Sequence, residues 1–434
     1  MTRVTFIGAG SVVFTKQLLT DLLRYPEFDE IEIALHDIDA ERLRVAQATA
    51  DYVNRRLGAH ARVTASADRR TALAGAEFVI NMIQVGGIEG TRADLEIPAR
   101  HGLLQTIGDT TGVGGVFRGL RTFPVLTGIL TDMQEICPDA YFLNYTNPMT
   151  MNVWWANLVA PSIRTVGLCH SVYWTAHDLA ELIGLDVTDT RFRAAGLNHQ
   201  SWLLEWTTLD GDDLYPRLAK RIADDPELQR RVRAEIFRRV GYYPTETSEH
   251  SSEYLSWFLR SESQRETYRL RPLEYLQISE DNVAEFEQTR SALDAGEDIE
   301  LLDEASEYAP QLIHSIATGT RREIHANIPN AGLISNLPEA QVVEVPCVVD
   351  EQGIHPVAMG DLPIECVTVN RAYAAVAGAA VEAARREDPT LVRRALLADP
   401  NTMSSVTPET LWQICAELTE AHARHLPAGL LSRV

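Results

Sequence analysis

Residues 4–10 read Val-Thr-Phe-Ile-Gly-Ala-Gly, an apolar run that ends in a pair of glycines. A helix-compatible segment follows from residue 12 to 24, and a second apolar run, 31–35, leads into His36 and Asp37. Strand, glycine turn, helix, strand and acidic residue, in this order, are typical of the first βαβ unit of a dinucleotide-binding sheet. An ordinary corner between a strand and a helix is the simpler alternative.

The glycine turn offers specific contacts for a dinucleotide. Gly8 allows a tight turn, Gly10 lets the backbone approach a pyrophosphate at the helix N-terminus, and Ser11 completes the turn. Asp37 is expected to accept hydrogen bonds from a ribose, which favours NAD over NADP because a 2′-phosphate would meet a negative charge. Val13 replaces the third glycine of the usual pattern. These residues predict NAD binding.

The composition bounds the class of protein. The chain has 434 residues and a net charge of −22, which argues against nucleic acid and anionic membranes as partners. No apolar run reaches the ~18–20 residues that span a bilayer, and the early first strand leaves no room for a secretory signal, so we expect a cytoplasmic protein. The five cysteines form no CxxC pair and are expected to be free thiols.

Strand-like and helix-like segments alternate from residue 1 to about 170, the rhythm of a doubly wound parallel sheet of the Rossmann type, and the predicted domain spans residues 1–194. The predicted strands cover residues 3–8, 31–36, 62–65, 77–84, 140–144 and 164–168. Two helices are predicted between them, over 40–57 and 119–136. This half of the chain is the predicted NAD-binding domain, in an α/β fold.

The pattern changes after residue 190. Residues 192–209 and 322–370 contain β-like pieces, whereas 217–240 and 281–319 are charged and helical. We therefore expect a second, α+β domain over residues 195–434, which would carry the substrate and a metal.

The stretch 108–115 reads Gly-Asp-Thr-Thr-Gly-Val-Gly-Gly and has no periodicity. Its composition supports two interpretations equally. It is either a flexible connection or a loop that covers the nicotinamide end of the cofactor.

Polar side chains follow three of the strand-like runs. Asn147 ends the run Asn-Tyr-Thr-Asn-Pro, Cys169 follows a second strand, and His199 follows a third. In open α/β sheets, ligands bind at the carboxyl ends of the strands. A thiolate and an imidazole suit a borderline divalent metal, which makes Cys169 and His199 candidate ligands. A purely structural role for each side chain is the alternative.

Two phenols, two carboxylates and an imidazole crowd into residues 241–250. The segment is a candidate source of a general base. It could equally be the solvated start of a helix from Ser252, with Ser248 or Ser251 as the cap.

Together these segments resemble glycoside hydrolase family 4, the NAD-dependent and metal-dependent glycosidases. The resemblance covers nearly the whole chain. It rests on Phe-Ile-Gly-Ala-Gly-Ser at 6–11, Asn-Tyr-Thr-Asn-Pro at 144–148 and Gly-Leu-Cys at 167–169, with support at 196–199 and 245–250. It implies a fold of the lactate and malate dehydrogenase type, NAD and Mn²⁺ as cofactors, and a homodimer or homotetramer.

The residues after Cys169 bear on the sugar. Residues 170–172 read His-Ser-Val, similar to the α-galactosidase subgroup, whereas subgroups that cleave phosphorylated sugars carry Asp or Asn with a proline two residues later. The resemblance therefore implies an α-galactoside substrate, with α-galacturonides and α-glucosides as alternatives. Arg92, Arg118 or Arg121 in the pocket would favour a uronate through bidentate pairing.

The mechanism that the resemblance implies is a redox-assisted elimination, not the two-carboxylate scheme of most glycosidases. NAD⁺ takes a hydride from C3 of the sugar, and the resulting ketone acidifies the C2 proton. A base removes that proton while the metal acts as a Lewis acid and the C1–O bond breaks. Addition of water and return of the hydride complete the cycle without net oxidation.

Matched positions imply roles for individual residues. Cys169 and His199 would bind the metal, and His170 would be the general acid. Asn147 would contact the substrate and the nicotinamide end of the cofactor.

The base is expected in the segment 241–250, where Tyr243 is preferred and Glu246 comes next. Other proton acceptors there are Tyr242, Glu249 and His250. Asp109 and Arg118, in and after the glycine-rich stretch, would also face the substrate.

Two other classes of protein compete with this interpretation. A NAD-dependent 2-hydroxy acid dehydrogenase shares the fold but has no need of Cys169 paired with His199. It would accumulate NADH with product, whereas the glycosidase would not. A catalytically silent NAD sensor is disfavoured because every metal and acid position carries a competent residue.

Overall fold

One sheet of twelve strands runs through the parts of the chain that the computed structural model describes, residues 2–28, 30–302 and 307–431. Its order is β3-β2-β1-β4-β5-β6-β10-β11-β7-β8-β9, and β12 pairs with β11. The strands are β1 (Arg3–Ile7), β2 (Glu32–His36), β3 (Arg62–Ala65), β4 (Phe78–Asn81), β5 (Tyr141–Asn144), β6 (Arg164–Gly167), β7 (Thr190–Leu197), β8 (Gln200–Thr208), β9 (Tyr243–Pro244), β10 (Arg322–Pro329), β11 (Val342–Asp350) and β12 (Gly353–Pro356).

The first six strands are parallel and follow the order 3-2-1-4-5-6 of a Rossmann sheet. All six strands predicted from the sequence are confirmed, with ends that differ by at most a few residues. In register, Val4 faces Ile33 on one side and Phe78 on the other, so β1 lies at the centre of this half. The predicted α/β class with a doubly wound parallel sheet is therefore confirmed.

The remaining strands continue the same sheet in antiparallel fashion. β10 joins the parallel half where Asn327 faces Gly167, and β11 meets β7 where Glu344 faces Gly196. β7 and β8 form a hairpin whose turn contains Asn198 and His199. The expected domain boundary at residue 195 falls inside β7, within a strand of the shared sheet.

Helices cover both faces of the parallel half and pack against β7, β10 and β11 of the antiparallel half. Those in the described residues are α1 (Val12–Leu23), α2 (Ala40–Leu57), α3 (Arg69–Leu73), α4 (Gly87–Arg100), α5 (Gly112–Ile136), α6 (Met149–Val159), α7 (Ser171–Leu182), α8 (Tyr215–Ala223), α9 (Val232–Val240), α10 (Ser248–Glu253), α11 (Glu262–Tyr268), α12 (Glu274–Ala295), α13 (Tyr308–Thr318), α14 (Ile364–Arg386), α15 (Pro389–Leu396), α16 (Pro400–Ser405) and α17 (Pro408–Ala421).

Side chains alternate across the parallel strands and feed two cores. Phe6 and Ile80 belong to the larger core on one face, whereas Ile7 and Val79 pack with Leu130 of α5 on the other. Burial on both faces explains why these strands read as nearly continuous apolar runs. Within the described chain, each helix is too short or too polar to cross a bilayer.

Several helix predictions need correction. A polar break that contains Pro226 divides the region 217–240 into α8 and α9. The region 281–319 is divided after Gly296 into the end of α12 and α13, and residues 303–306 lie outside the described chain. The helix expected from Ser252 begins at Ser248, and its cap is Thr247, whose hydroxyl accepts the His250 N–H. Thr247 is the cap, and not Ser248 or Ser251, because it is the last extended residue before the helix.

Candidate active site

The glycine turn after β1 is closed by backbone and carboxylate contacts. The N–H groups of Gly8 and Ala9 both donate to the His36 carbonyl at 3.0 Å, with Gly8 at a φ of +81°. The Gly10 N–H donates to Asp37 Oδ2 at 2.8 Å, and a Cβ at Gly10 would lie 2.6 Å from that oxygen. Ser11 is the exposed residue just before α1. Glycine is required here, and the turn opens toward a helix N-terminus that suits a pyrophosphate.

Asp37 holds the turn through both oxygens of its carboxylate. Its second carboxylate oxygen accepts the Asp39 N–H at 2.9 Å. The carboxylate therefore sits against the turn, at the end of β2 where a ribose would lie in a Rossmann sheet.

Amide side chains line the carboxyl ends of β4 and β5. Asn81 Nδ2 donates to Asn144 Oδ1 at 2.9 Å and to Thr146 Oγ1 at 3.1 Å. Beyond them, Asn147 Nδ2 donates to Asp109 Oδ2 at 2.8 Å, and the Asn147 carbonyl accepts the Arg118 Nε–H at 3.2 Å. The network directs Asn147 into the space beside Asp109, and its buried Oδ1 has no partner among the described residues.

The glycine-rich stretch is built into the site and is not a flexible connection. Asp109 and Thr110 are buried, and α5 begins at Gly112 instead of residue 119. Gly115 permits this packing, because a Cβ there would lie 2.4 Å from the carbonyl carbon of Thr110. The Gly114 N–H also donates to the Gln105 side-chain oxygen at 3.0 Å.

Thr110 fixes the tautomer of His199. Its hydroxyl donates its proton to Asp109 Oδ1 at 2.7 Å, and its oxygen lies 2.9 Å from His199 Nδ1. A threonine hydroxyl has one proton, so His199 Nδ1 must be the donor in the second contact. The lone pair of the neutral ring is therefore on Nε2, the arrangement that metal-ligating histidines adopt.

Three buried side chains converge beside this contact. Asp109, His199 and His250 each offer a ligand atom within 4.8 Å of the others, and the side chains are 2%, 3% and 9% exposed. The ring centres of His199 and His250 are 4.5 Å apart, and His250 Nε2 lies 3.4 Å from Asp109 Oδ1.

The charges of this group are unequal. Burial and the nearby His250 lower the pKa of His199 to about 4. Burial acts in the same direction on His250, but Glu246 and Asp109 outweigh it and raise the pKa of His250 to about 9. Burial opposes the ionisation of Asp109, and His250 outweighs it, so the pKa of Asp109 is held well below its usual range. His199 is therefore the neutral nitrogen donor of the group.

The donor set fits a divalent cation. His199 offers a free lone pair and Asp109 a carboxylate, whereas His250 holds its proton and faces Asp109 Oδ1 through Nε2 at 3.4 Å. Cys169, the other predicted ligand, is buried after β6 but is not one of the three converging residues. Burial raises the pKa of the Cys169 thiol well above its usual range, and the charge of Glu246 acts in the same direction. Ionisation of this thiol would need a cation beside it.

His170 lies at the start of α7 and faces a buried carboxylate. Its Nδ1 is 2.9 Å from Glu307 Oε1, and its side chain is 38% exposed whereas that of Glu307 is 4% exposed. Burial lowers the pKa of His170, but Glu307 raises it by more, so the net pKa is raised. His170 is therefore a partly exposed imidazole whose protonated form is favoured by Glu307.

The two preferred base candidates lie in different surroundings. Glu246 has a φ of +71° and lies 3.6 Å from His250 Nδ1. Burial raises the pKa of Glu246, but the charges of the surrounding histidines outweigh it and the net pKa is lowered. Tyr243 is buried in an apolar cluster with Phe237, and Arg233 lies over its ring.

The three arginines considered for a uronate differ in position. Arg92 is paired with Glu96 and other surface carboxylates, and Arg121 is fully buried against Asp94 at 2.7 Å. Arg118 alone of these three contacts a site residue, through the Asn147 carbonyl.

Two family models match the chain. The model of family 4 glycosyl hydrolases matches residues 3–185, and that of the family 4 C-terminal domain matches residues 194–402. The chain belongs to glycosyl hydrolase family 4. An α-galactosidase of Bacillus subtilis (strain 168) is 38% identical to this family 4 chain, over 98% of this chain and 99% of the relative. An α-galactosidase of Rhizobium meliloti is 35% identical over 98% and 89%, and an α-galacturonidase of Lachnoclostridium phytofermentans is 28% identical over 98% and 97%.

Solved structures agree on the fold of this family 4 chain. A putative glucosidase, lplD, from Bacillus subtilis has a TM-score of 0.87 at 24% identity and covers 96% of this chain and 99% of its own. The 6-phospho-β-glucosidase of Thermotoga maritima, solved with manganese, NAD⁺ and glucose-6-phosphate, has a TM-score of 0.79 at 24% identity over 98% and 99%. A lactate dehydrogenase from Eimeria maxima has a TM-score of 0.54 at 14% identity over 89% and 95%, in line with the predicted kinship of fold.

Some residues that organise the family 4 site carried no signal in the sequence. Thr110 lies in a stretch that composition left open, and Glu307 is 137 residues from His170. Glu344, inside β11, accepts hydrogen bonds from Asn198 at 3.2 Å and from Ser201. Of these residues, Glu344 alone could have been suspected from the sequence. It is a carboxylate inside a buried strand, and such a group needs several hydrogen-bond donors.

Proposed function

We propose that this chain is an α-galactosidase that uses NAD and a divalent metal, Mn²⁺, without net oxidation of its substrate. The observation that carries the proposal is His199, held as a neutral Nε2 donor beside Asp109 and His250 at the carboxyl edge of a dinucleotide-type sheet. The 38% identity to an α-galactosidase across both chains supports the sugar. The Thermotoga maritima relative solved with manganese and NAD⁺ supports the cofactors.

The cofactors have separate sites in this proposal. Gly8, Gly10 and Ser11 receive the pyrophosphate, and Asp37 receives a ribose, so residues 1–194 carry the dinucleotide. Asn147 lies at the nicotinamide end.

The metal sits between the two halves of the chain. Cys169 and His199 are its proposed ligands, with Asp109 close enough to His199 to add a carboxylate and with His250 paired to Asp109. When bound, NAD⁺ supplies a hydride acceptor and donor for C3 of the sugar, and Mn²⁺ supplies a Lewis acid for the oxygens at C2 and C3.

His170 is the proposed general acid. Its Nδ1 is held by Glu307, which leaves Nε2 to present a proton to the glycosidic oxygen as the C1–O bond breaks. The raised pKa favours the protonated ring that a general acid needs.

Glu246 is the proposed base for the C2 proton. Its lowered pKa keeps the carboxylate ionised at neutral pH, and it lies among the three histidines of the site. Tyr243 is the second candidate, but its ring is packed against Phe237 and Leu203 in an apolar cluster.

The contacts of the arginines favour a neutral galactoside over a uronide as the substrate. Arg92 and Arg121 already have carboxylate partners, so neither is available for bidentate capture of a C6 carboxylate. Arg118 lies next to the site, and an α-galacturonide is therefore the second candidate substrate.

A panel of three para-nitrophenyl glycosides, α-galactoside, α-glucoside and α-galacturonide, tests the proposal. Each is assayed with and without NAD⁺, Mn²⁺ and a thiol reductant, while absorbance follows nitrophenolate and NADH separately. We expect cleavage of the galactoside that requires all three additions and accumulates no NADH. Cleavage of another sugar under the same requirements would correct the substrate, and NADH in step with product would replace the glycosidase by a dehydrogenase.

We also propose a cytoplasmic homodimer or homotetramer. Light scattering coupled to size-exclusion chromatography would separate these from a monomer of 48.3 kDa.

A further inference from the structure

A buried carboxylate at the end of α10 is wrapped by the backbone of the loop that precedes Asp109. Glu253 Oε1 accepts the N–H groups of Thr106, Ile107 and Gly108 at 2.8, 2.9 and 3.0 Å. Glu253 Oε2 accepts the Gly108 N–H as well, at 3.1 Å. Three consecutive backbone donors on one carboxylate form an anion nest whose occupant is a side chain of the protein itself.

The nest fixes the backbone that leads into the candidate metal site. Asp109 and Thr110 follow Gly108 directly, and Thr110 is the residue that orients His199. Gly108 has a φ of +62°, which turns the chain from the nest into the site.

α10 contributes to the site through two of its side chains. His250 and Glu253 are three residues apart and so share a face of the helix. His250 faces the carboxylate of Asp109, and Glu253, 3% exposed, holds the backbone in front of it. The Thr106 hydroxyl adds a contact to the Glu249 carbonyl at 2.9 Å, which locks loop and helix together.

We propose that Glu253 is a positioning residue for metal binding: it holds the 106–108 backbone so that Asp109 and Thr110 keep His199 oriented toward the cation. This inference rests on the proposed function, because it assumes a divalent cation at His199. It assigns to Glu253 no contact with substrate, cofactor or metal. Its effect passes through the loop and is measurable as metal affinity.

The test is direct titration of the full-length, thiol-reduced protein with Mn²⁺, in which electron paramagnetic resonance measures the free ion. Glu253→Ala and Glu253→Gln are compared with the wild type and with His199→Ala. Asp132→Asn is the matched control, because Asp132 is a half-buried carboxylate that binds Arg69 and Arg70 at the far end of α5. Circular dichroism and thermal unfolding check that each variant is folded.

Loss of a residue that orients a metal ligand weakens metal binding by about 10–100-fold. We expect this increase in Kd for Glu253→Ala, a smaller one for Glu253→Gln, which keeps one acceptor oxygen, and none for Asp132→Asn. If only His199→Ala weakens binding, the metal site stands and the role of Glu253 is wrong. If Asp132→Asn weakens binding equally, the effect is general destabilisation and the inference fails. If His199→Ala binds Mn²⁺ like the wild type, the proposed metal site is wrong, and this inference with it.

Discussion

Replacement of Thr110 by valine removes one hydroxyl from the site and keeps nearly the same side-chain size. In the wild type this hydroxyl donates to Asp109 Oδ1 at 2.7 Å and lies 2.9 Å from His199 Nδ1. Thr110→Val leaves the His199 Nδ1–H without its acceptor in a buried position. The ring is then free to rotate or to move its proton to Nε2, and both changes oppose metal binding.

The size of the effect follows from the lost hydrogen bond. A cation on Nε2 makes the Nδ1–H a charge-assisted donor, and such bonds contribute about 1.5–3 kcal/mol. A tenfold change in Kd corresponds to about 1.4 kcal/mol. We therefore expect the Kd for Mn²⁺ to rise by about 10–100-fold, together with a loss of about 1–3 kcal/mol in unfolding free energy because Asp109 also loses a donor.

Isothermal titration of the reduced protein with Mn²⁺ measures this Kd without reference to catalysis. Thr111→Val is the matched control, since its hydroxyl is equally buried but faces Asp399 at 3.3 Å. The control should lose stability and keep its Mn²⁺ affinity. Equal Mn²⁺ affinities for Thr110→Val and the wild type would refute the assignment of the His199 tautomer and of Nε2 as the ligand atom.

Three further outcomes are expected. Burial lowers the pKa of His170, but Glu307 raises it by more. Glu307→Gln should therefore lower the pKa of His170 and move the alkaline limb of the kcat/KM–pH profile to lower pH. An unmoved limb would exclude His170 as the acid. Glu246→Gln should lower kcat by about 10²–10⁴-fold and Tyr243→Phe much less, and the reverse ranking would make the phenol the base. Asp94→Asn leaves a fully buried arginine unpaired and should cost about 3–5 kcal/mol in urea unfolding, whereas a cost under about 1 kcal/mol would contradict the burial of that pair.

The strands of the parallel half were predictable because their signal is local. Each is a short apolar run next to a turn, and burial on both faces makes the run continuous, as for β1 and β4. The glycine turn was predictable for the same reason. The contact by which Asp37 closes the turn, through the Gly10 N–H, was not predictable because it joins residues at the ends of two different strands.

The first turn of α5 was not predictable from local preference. Glycine is a poor helix former, and three of the first four residues of α5, from Gly112, are glycines. The helix forms there because Gln105 accepts the Gly114 N–H and Gly115 packs against Thr110. Tertiary contacts override propensity in this stretch.

Candidate residues for the site could be named from the sequence, but the side chains that they contact could not. His170 and His199 could be singled out because each follows a strand. Their partners, Glu307 and Thr110, lie 137 and 89 residues away and are brought close only by the fold. A sequence pattern contains no information on which of many carboxylates or hydroxyls meets a given imidazole.

The carbon at which hydrogen from the solvent enters the product tests the proposed elimination mechanism most directly. The galactoside is hydrolysed to completion in D₂O with NAD⁺, Mn²⁺ and reductant, and the galactose is examined by proton NMR while NADH absorbance is followed. Removal of the C2 proton and its replacement from solvent predict deuterium at C2 and no accumulation of NADH. Retention of protium at C2 throughout hydrolysis would contradict the elimination mechanism and the role of Glu246 as its base.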